Sequence, residues 1–65
     1  MKVREVIERI EADGWVFARY GSRSSHRIYK KDGSQAEIAI SGIGSDEVSP
    51  GQLQSVRRKS GLPLR

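Results

Sequence analysis

The sequence predicts a small α+β fold in which two helices pack on one face of a three-stranded antiparallel sheet. Three observations lead to this prediction: an amphipathic stretch at the start, three short segments of strand-forming residues, and a second helical stretch that begins with serine and proline. The 65 residues are enough for one domain, which we expect to span residues 1–65. Because so short a chain encloses little volume, we expect an open site and no deep cavity.

The first helix is predicted from the spacing of its apolar residues. They recur at intervals of three and four residues, at Val3, Val6, Ile7 and Ile10. This spacing places them on one face of a helix, with charged residues on the other faces. Asp13 and Gly14 are residues that commonly end helices, so the first helix should end near Asp13.

Three strands are predicted at residues 15–20, 26–30 and 36–40, where β-branched and aromatic residues are frequent. The Asp32-Gly33 pair suits a tight turn between the last two strands. In the third strand, the alternation of apolar and polar residues predicts that Ile38 and Ile40 are buried. We also expect Ile28 to point into the core and the first strand to be half-buried, with Trp15 and Phe17 in the core.

The second helix is predicted to begin at Ser49-Pro50, because serine is a favourable N-cap and proline fits the first helical position. Gly61 should end it, and Leu62 should fold back as an anchor. The predicted core consists of Val3, Ile7, Ile10, Ile38, Ile40, Leu53 and Val56.

Charge and composition limit the function classes. The chain contains 12 Lys and Arg residues and 8 acidic residues, so its net charge is +4. This charge makes a polyanionic partner reasonable. No apolar run is long enough for a membrane span and no signal peptide is visible, so we expect a cytoplasmic protein. One histidine and no cysteine do not form a metal-ligand set, and no cofactor-binding motif is present. We therefore expect neither a metal nor a cofactor.

Three segments carry a resemblance to a known family. They are Val6 to Trp15, Ser25 to Tyr29, and Ser49 to Leu62. Together they resemble the HicA toxins, which implies a fold like the double-stranded-RNA-binding domain, cleavage of mRNA that inhibits translation, and neutralisation by a HicB-type antitoxin. The catalytic histidine of the family usually follows Gly-Ser, and the resemblance assigns that role to His26. Here Ser24-Ser25 precedes His26 and Gly21-Ser22 lies earlier, as if the loop had gained about two residues.

The chemistry implied for His26 needs no metal. RNA carries its own nucleophile, the 2′-hydroxyl group, so the enzyme moves protons and stabilises charge on the phosphate. His26 would either accept the proton of the 2′-hydroxyl or donate a proton to the leaving 5′-oxygen, because imidazole changes charge within the physiological range. The alternative is a surface histidine at the start of a strand, with no catalytic role.

Basic residues surround His26 in the sequence, at Arg19, Arg23, Arg27, Lys30 and Lys31. We expect several of them to meet near one end of the sheet as a phosphate-binding patch. The candidates for RNA contact are Arg23, Ser25, Arg27, Tyr29 and Lys30. Arg27 is the first choice among the basic residues because it adjoins His26, and Tyr29 is the candidate for stacking on a base. The alternatives are a solvated charged surface and a half-buried strand tyrosine.

Two other functions fit the same composition. One is a small RNA-binding module that contacts phosphates without cutting RNA. The other is a protein-interaction module whose basic face meets an acidic partner. For the toxin hypothesis, we expect the antitoxin to cover His26 and to supply acidic groups opposite Arg23, Arg27 and Lys30.

Overall fold

A computed structural model describes residues 1–21 and 26–64. Its elements follow the predicted order, as α1 (Val3–Ala12), β1 (Val16–Tyr20), β2 (His26–Lys30), β3 (Glu37–Ser41) and α2 (Pro50–Ser60). The strands form one antiparallel sheet in the order β1-β2-β3. The predicted α+β fold, with two helices and a three-stranded antiparallel sheet, is therefore confirmed.

The start of α1 is held by the segment that follows β3, residues 42–48. The backbone N–H of Val3 donates to the carbonyl of Asp46 (2.8 Å), and that of Arg4 donates to the carbonyl of Gly44 (3.1 Å). These contacts satisfy N–H groups that the first turn of a helix leaves without partners. The acidic residue Asp46 thus serves the helix start, and its carboxylate also accepts the N–H of Ile43 (3.0 Å).

Helix α2 begins and ends as the sequence predicts. The Ser49 hydroxyl accepts the N–H of Gln52 (3.3 Å), and Gly61 has a left-handed φ of 75°. The helix packs on β3, and two of its long side chains reach the outer edge of that strand. Gln52 Nε2 donates to the carbonyl of Ala39 (3.5 Å), and Lys59 Nζ donates to the carbonyl of Glu37 (2.9 Å). The free edge of β3 is therefore covered in part by α2.

One hydrophobic core lies between the helices and the sheet. It contains Val3, Val6, Ile10, Trp15, Tyr29, Ile38, Ile40, Val48, Leu53, Val56 and Leu64. Every residue of the predicted core is in this set except Ile7, which is partly buried and packs against it. At the C-terminal end, Leu64 is fully buried and Leu62 is only partly buried, so the anchor lies two residues beyond the predicted one.

The prediction that Ile28 points into the core is wrong. In the register of β2 and β3, Tyr29 pairs with Ile38 and Arg27 pairs with Ile40. Paired residues of antiparallel strands share a face, so Tyr29 occupies the core face and Ile28 lies on the opposite one. Tyr29 is buried accordingly, and Ile28 is half-exposed. We call the face that carries Ile28 and is turned away from the helices the open face of the sheet.

Strand β1 is exposed along its whole length, contrary to the expected half-buried strand. It is an edge strand of the sheet, and Phe17 is 45% exposed although we expected it in the core. The predicted burial of Trp15, just before β1, is confirmed. The strand also contains a bulge: Phe17 pairs with Tyr29 and Arg19 with Ile28, leaving Ala18 as an extra residue. The bulge sends Arg19 to the open face and Phe17 to the opposite face.

Candidate functional site

His26 is the first residue of β2 and lies at the end of the sheet where β1 and β2 are connected. It pairs with Ser41 of β3, and its carbonyl accepts the backbone N–H of Gly21 (2.9 Å). Because the next residue, Arg27, shares the core face with Ile40, strand alternation directs the His26 side chain to the open face. The side chain is half-exposed there. Solvent reaches this side chain without any opening of the core.

Gly21 lies close to the start of the His26 side chain. A Cβ atom at position 21 would lie 3.3 Å from the Cβ of His26 and 3.5 Å from Cδ1 of Ile28. The first separation is tighter than most contacts between side chains, so any other residue would push against His26. On the other side of His26, the Ser41 hydroxyl accepts a hydrogen bond from Nε2 of Gln52 (3.2 Å). His26 thus has a neighbour without a side chain, Gly21, and a neighbour whose side chain is held by a hydrogen bond, Ser41.

Three charged side chains form a network across the open face, one from each strand. Nη1 and Nη2 of Arg19 donate to the carboxylate of Glu37 (3.2 and 3.1 Å). Nζ of Lys30 lies 3.6 Å from the same carboxylate. The hydrogen bonds from Arg19 lower the pKa of Glu37 from its ordinary value. Lys30 therefore shares the face of His26, but it lies at the other end of β2, about 13 Å along the strand, and Glu37 offsets part of its charge. The expectation that Lys30 belongs to a basic patch at the His26 end of the sheet is wrong.

Arg27 lies on the other side of the sheet from His26. It pairs with Tyr20 of β1 and Ile40 of β3, and its side chain is half-buried. Among the residues that the structure describes, Arg19, Lys30 and Lys31 form ion pairs with carboxylates and Arg27 forms none. Arg27 is adjacent to His26 in the chain, but it can contact RNA only from the opposite face.

The described ranges, 1–21 and 26–64, contain no group of three or more His, Cys, Asp or Glu side chains arranged to hold a metal ion. They also contain no enclosed pocket. None of the helices in these ranges is long and apolar enough to cross a membrane. In the part of the chain that the structure describes, the surface around His26 is shallow.

A comparison with known protein families identifies the family of this chain. The model of the HicA toxin of bacterial toxin-antitoxin systems matches residues 3–62, which is nearly the whole chain. The chain belongs to the HicA toxin family. A comparison with curated proteins found no match. As a member of the HicA family, the protein is a toxin whose system includes an antitoxin partner.

In this HicA toxin, Tyr29 lies in the core and is only 3% exposed. Burial raises the pKa of its phenol, and the charge of Glu11 raises that pKa further. The ring packs edge-to-face against Phe17, with centroids 6.0 Å apart. A covered ring offers no face to a base, so Tyr29 is not available for stacking in this conformation. This burial fits the alternative, a strand tyrosine that belongs to the fold, and contact of Tyr29 with RNA stays a prediction.

The structure places His26 and Lys30 on the open face but at opposite ends of β2, and it places Arg27 on the other face. Two further candidates of the sequence, Arg23 and Ser25, lie outside the described residues of the HicA toxin. Sequence reasoning missed Gly21, which it treated only as part of a flexible connection. The tight contact of Gly21 with His26 depends on the pairing of β1 with β2, which composition does not reveal.

Proposed function

We propose that this HicA toxin is a ribonuclease that cuts mRNA and thereby inhibits translation, with His26 as its general acid or base. The observation that carries the proposal is the half-exposed imidazole on the open face of the sheet, beside a residue without a side chain. A phosphodiester can approach an imidazole in such a position directly from solvent. The family membership supports the same activity.

The reaction that fits one imidazole and no metal is an internal transfer. The 2′-hydroxyl oxygen attacks the neighbouring phosphorus, and the bond from phosphorus to the 5′-oxygen breaks, which leaves a 2′,3′-cyclic phosphate. In one route neutral His26 accepts the proton of the 2′-hydroxyl and water protonates the leaving 5′-oxygen; in the other, protonated His26 protonates the leaving 5′-oxygen and water accepts the proton of the 2′-hydroxyl. Each route needs the imidazole within hydrogen-bond reach of the oxygen concerned.

Basic residues on both sides of the sheet would hold the phosphates of the substrate. Lys30 shares the open face with His26, and Arg27 has no carboxylate partner among the described residues. We propose both as RNA contacts, Arg27 as the stronger because Glu37 offsets the charge of Lys30. Arg23 and Ser25 remain proposals from the sequence, since they lie within the three residues before His26.

A HicB-type antitoxin would neutralise the toxin by covering the open face. The site is shallow, so a partner surface that rests on His26 and Lys30 excludes RNA without entering a cavity. Acidic groups of the antitoxin would meet Lys30 on that face, in the way that complementary charges speed association, whereas Arg27 lies on the other face of the sheet. Cleavage of mRNA implies that the toxin and its antitoxin act in the cytoplasm.

Cleavage in the presence of a chelator tests this chemistry. The purified protein should cut single-stranded RNA in EDTA, because the nucleophile belongs to the RNA and the proton transfer belongs to His26. Mass spectrometry should find a 2′,3′-cyclic phosphate or a 3′-phosphate at the cut. An RNA with 2′-deoxyribose at the cleaved position is the matched control and should resist. Activity that disappears in EDTA and returns with a divalent ion would contradict the proposal.

A further inference from the structure

Phe17 and Tyr20 form an exposed aromatic pair that the proposed cleavage chemistry does not use. Their rings meet edge-to-face with centroids 5.1 Å apart, and they are 45% and 61% exposed. The bulge at Ala18 creates the pair, because residues three apart in a regular strand point to opposite faces. Exposed aromatic side chains that contact each other are typical of surfaces that bind a partner.

The pair lies beside Arg27, which has no carboxylate partner among the residues that the structure describes, and Tyr20 is at the same end of the sheet as His26. Tyr20 pairs directly with Arg27, so the two side chains share a face of the sheet. The next residues along the strands are Gly21 and His26, which are joined by a backbone hydrogen bond of 2.9 Å. Among the described residues, Tyr20 and His26 therefore lie close together at one end of the sheet, where one strand of RNA can contact both.

We infer that Phe17 and Tyr20 are a stacking platform for unpaired bases of RNA, and that Arg27 holds the adjoining phosphate. This inference rests on the proposed function and specifies its substrate as single-stranded RNA. Sites for single strands combine aromatic rings, on which bases stack, with cations that follow the backbone. Bases within a duplex already stack on one another and offer no free face to Tyr20. The net charge of +4 favours a polyanion over a second copy of the chain.

Tyr20→Leu tests the inference, because leucine keeps an apolar side chain but has no ring face. RNA binding is measured by fluorescence anisotropy in a His26→Ala background, which prevents cleavage, with a labelled unstructured 10-nucleotide RNA. We expect Tyr20→Leu to weaken binding about fivefold or more, the lower end of what one stacked base contributes. Tyr20→Phe, which keeps the ring, should bind like the parent. Val16→Ala is the matched control, since Val16 is a 63% exposed apolar residue on the other face of the same strand.

A second RNA of the same length, with abasic ribose at every position, isolates stacking from phosphate contact. The parent and Tyr20→Leu should bind this RNA equally. Equal binding of the intact RNA by both proteins would overturn the inference and would assign the aromatic pair to contact with a protein. Cleavage of the intact RNA by the protein with His26 present is measured separately. If that protein cleaves the intact RNA while the parent and Tyr20→Leu bind it equally, only the stacking platform is contradicted. If that protein does not cleave the RNA, the proposed function itself is contradicted.

Discussion

A side chain at position 21 would press against His26. Gly21 has no Cβ, and an added Cβ would lie 3.3 Å from the Cβ of His26. The φ of Gly21 is not in the left-handed region, so a substitution there acts through the side chain and not through backbone strain. At the scale of single residues, Gly21 is therefore a positioning residue for the proposed general acid or base.

Gly21→Ala should lower the rate of RNA cleavage about tenfold, because small displacements of a proton-transferring group are costly in rate. The dissociation constant for RNA and the melting temperature should change little, which separates a shifted imidazole from a damaged fold. Gly51→Ala is the matched control, since a Cβ at position 51 meets nothing within 4 Å. Equal cleavage rates for Gly21→Ala and Gly51→Ala would show that the space beside His26 is not needed.

At the scale of elements, the segment 42–48 determines how α1 begins. It supplies the carbonyl groups that accept the first N–H groups of the helix, and the carboxylate of Asp46 accepts the N–H of Ile43. Gly42 has a φ of 95°, and a Cβ there would lie 2.9 Å from Oδ2 of Asp46. A side chain at position 42 would therefore disturb both the segment and the helix it supports.

Two glycine variants test the importance of this segment for stability. Gly42→Ala and Gly33→Ala both place alanine at a left-handed φ, which costs about 1–2 kcal/mol. Only Gly42→Ala also meets Asp46, since a Cβ at position 33 has nothing within 4 Å. Urea unfolding should therefore find Gly42→Ala less stable than Gly33→Ala by about 1 kcal/mol or more. Equal free energies of unfolding for the two variants would mean that residues 42–48 accommodate the added side chain without loss of stability.

The elements differ in how far their faces were predictable. In β3 the apolar residues Ile38 and Ile40 flank Ala39, so alternation alone predicts the buried face. In β2 both Ile28 and Tyr29 are apolar neighbours, and only the register against β3 determines which of them is buried. The bulge of β1 is a local backbone irregularity that composition does not indicate, so the exposed position of Phe17 does not follow from the sequence.

At the scale of the whole molecule, the site is divided between the two sides of one sheet. The sequence, through the family resemblance, indicates His26 and the basic residues near it. It cannot show that Lys30 meets Glu37, because that contact needs three strands in a fixed order. Nor can it show that Arg27 and Tyr20 share the face opposite His26. The division means that a partner on the open face meets the imidazole but not the aromatic pair.

The antitoxin is expected to bind the open face and to bury at least about 1,000 Å² in total if the complex is stable. Hydrogen exchange should then slow at the backbone of β2 around His26 when the purified antitoxin is added, and cleavage should stop. High salt should slow the association, because opposite charges steer the encounter. Protection confined to the outer surface of α1, with cleavage still inhibited, would refute direct occlusion.

The most direct measurement of the central claim compares RNA cleavage by the parent protein and by His26→Ala. Both proteins should have the same circular dichroism spectrum, because the His26 side chain is half-exposed and outside the core. The account predicts that His26→Ala binds RNA with an affinity close to that of the parent but does not cleave it. Cleavage by folded His26→Ala at the rate of the parent would contradict the account.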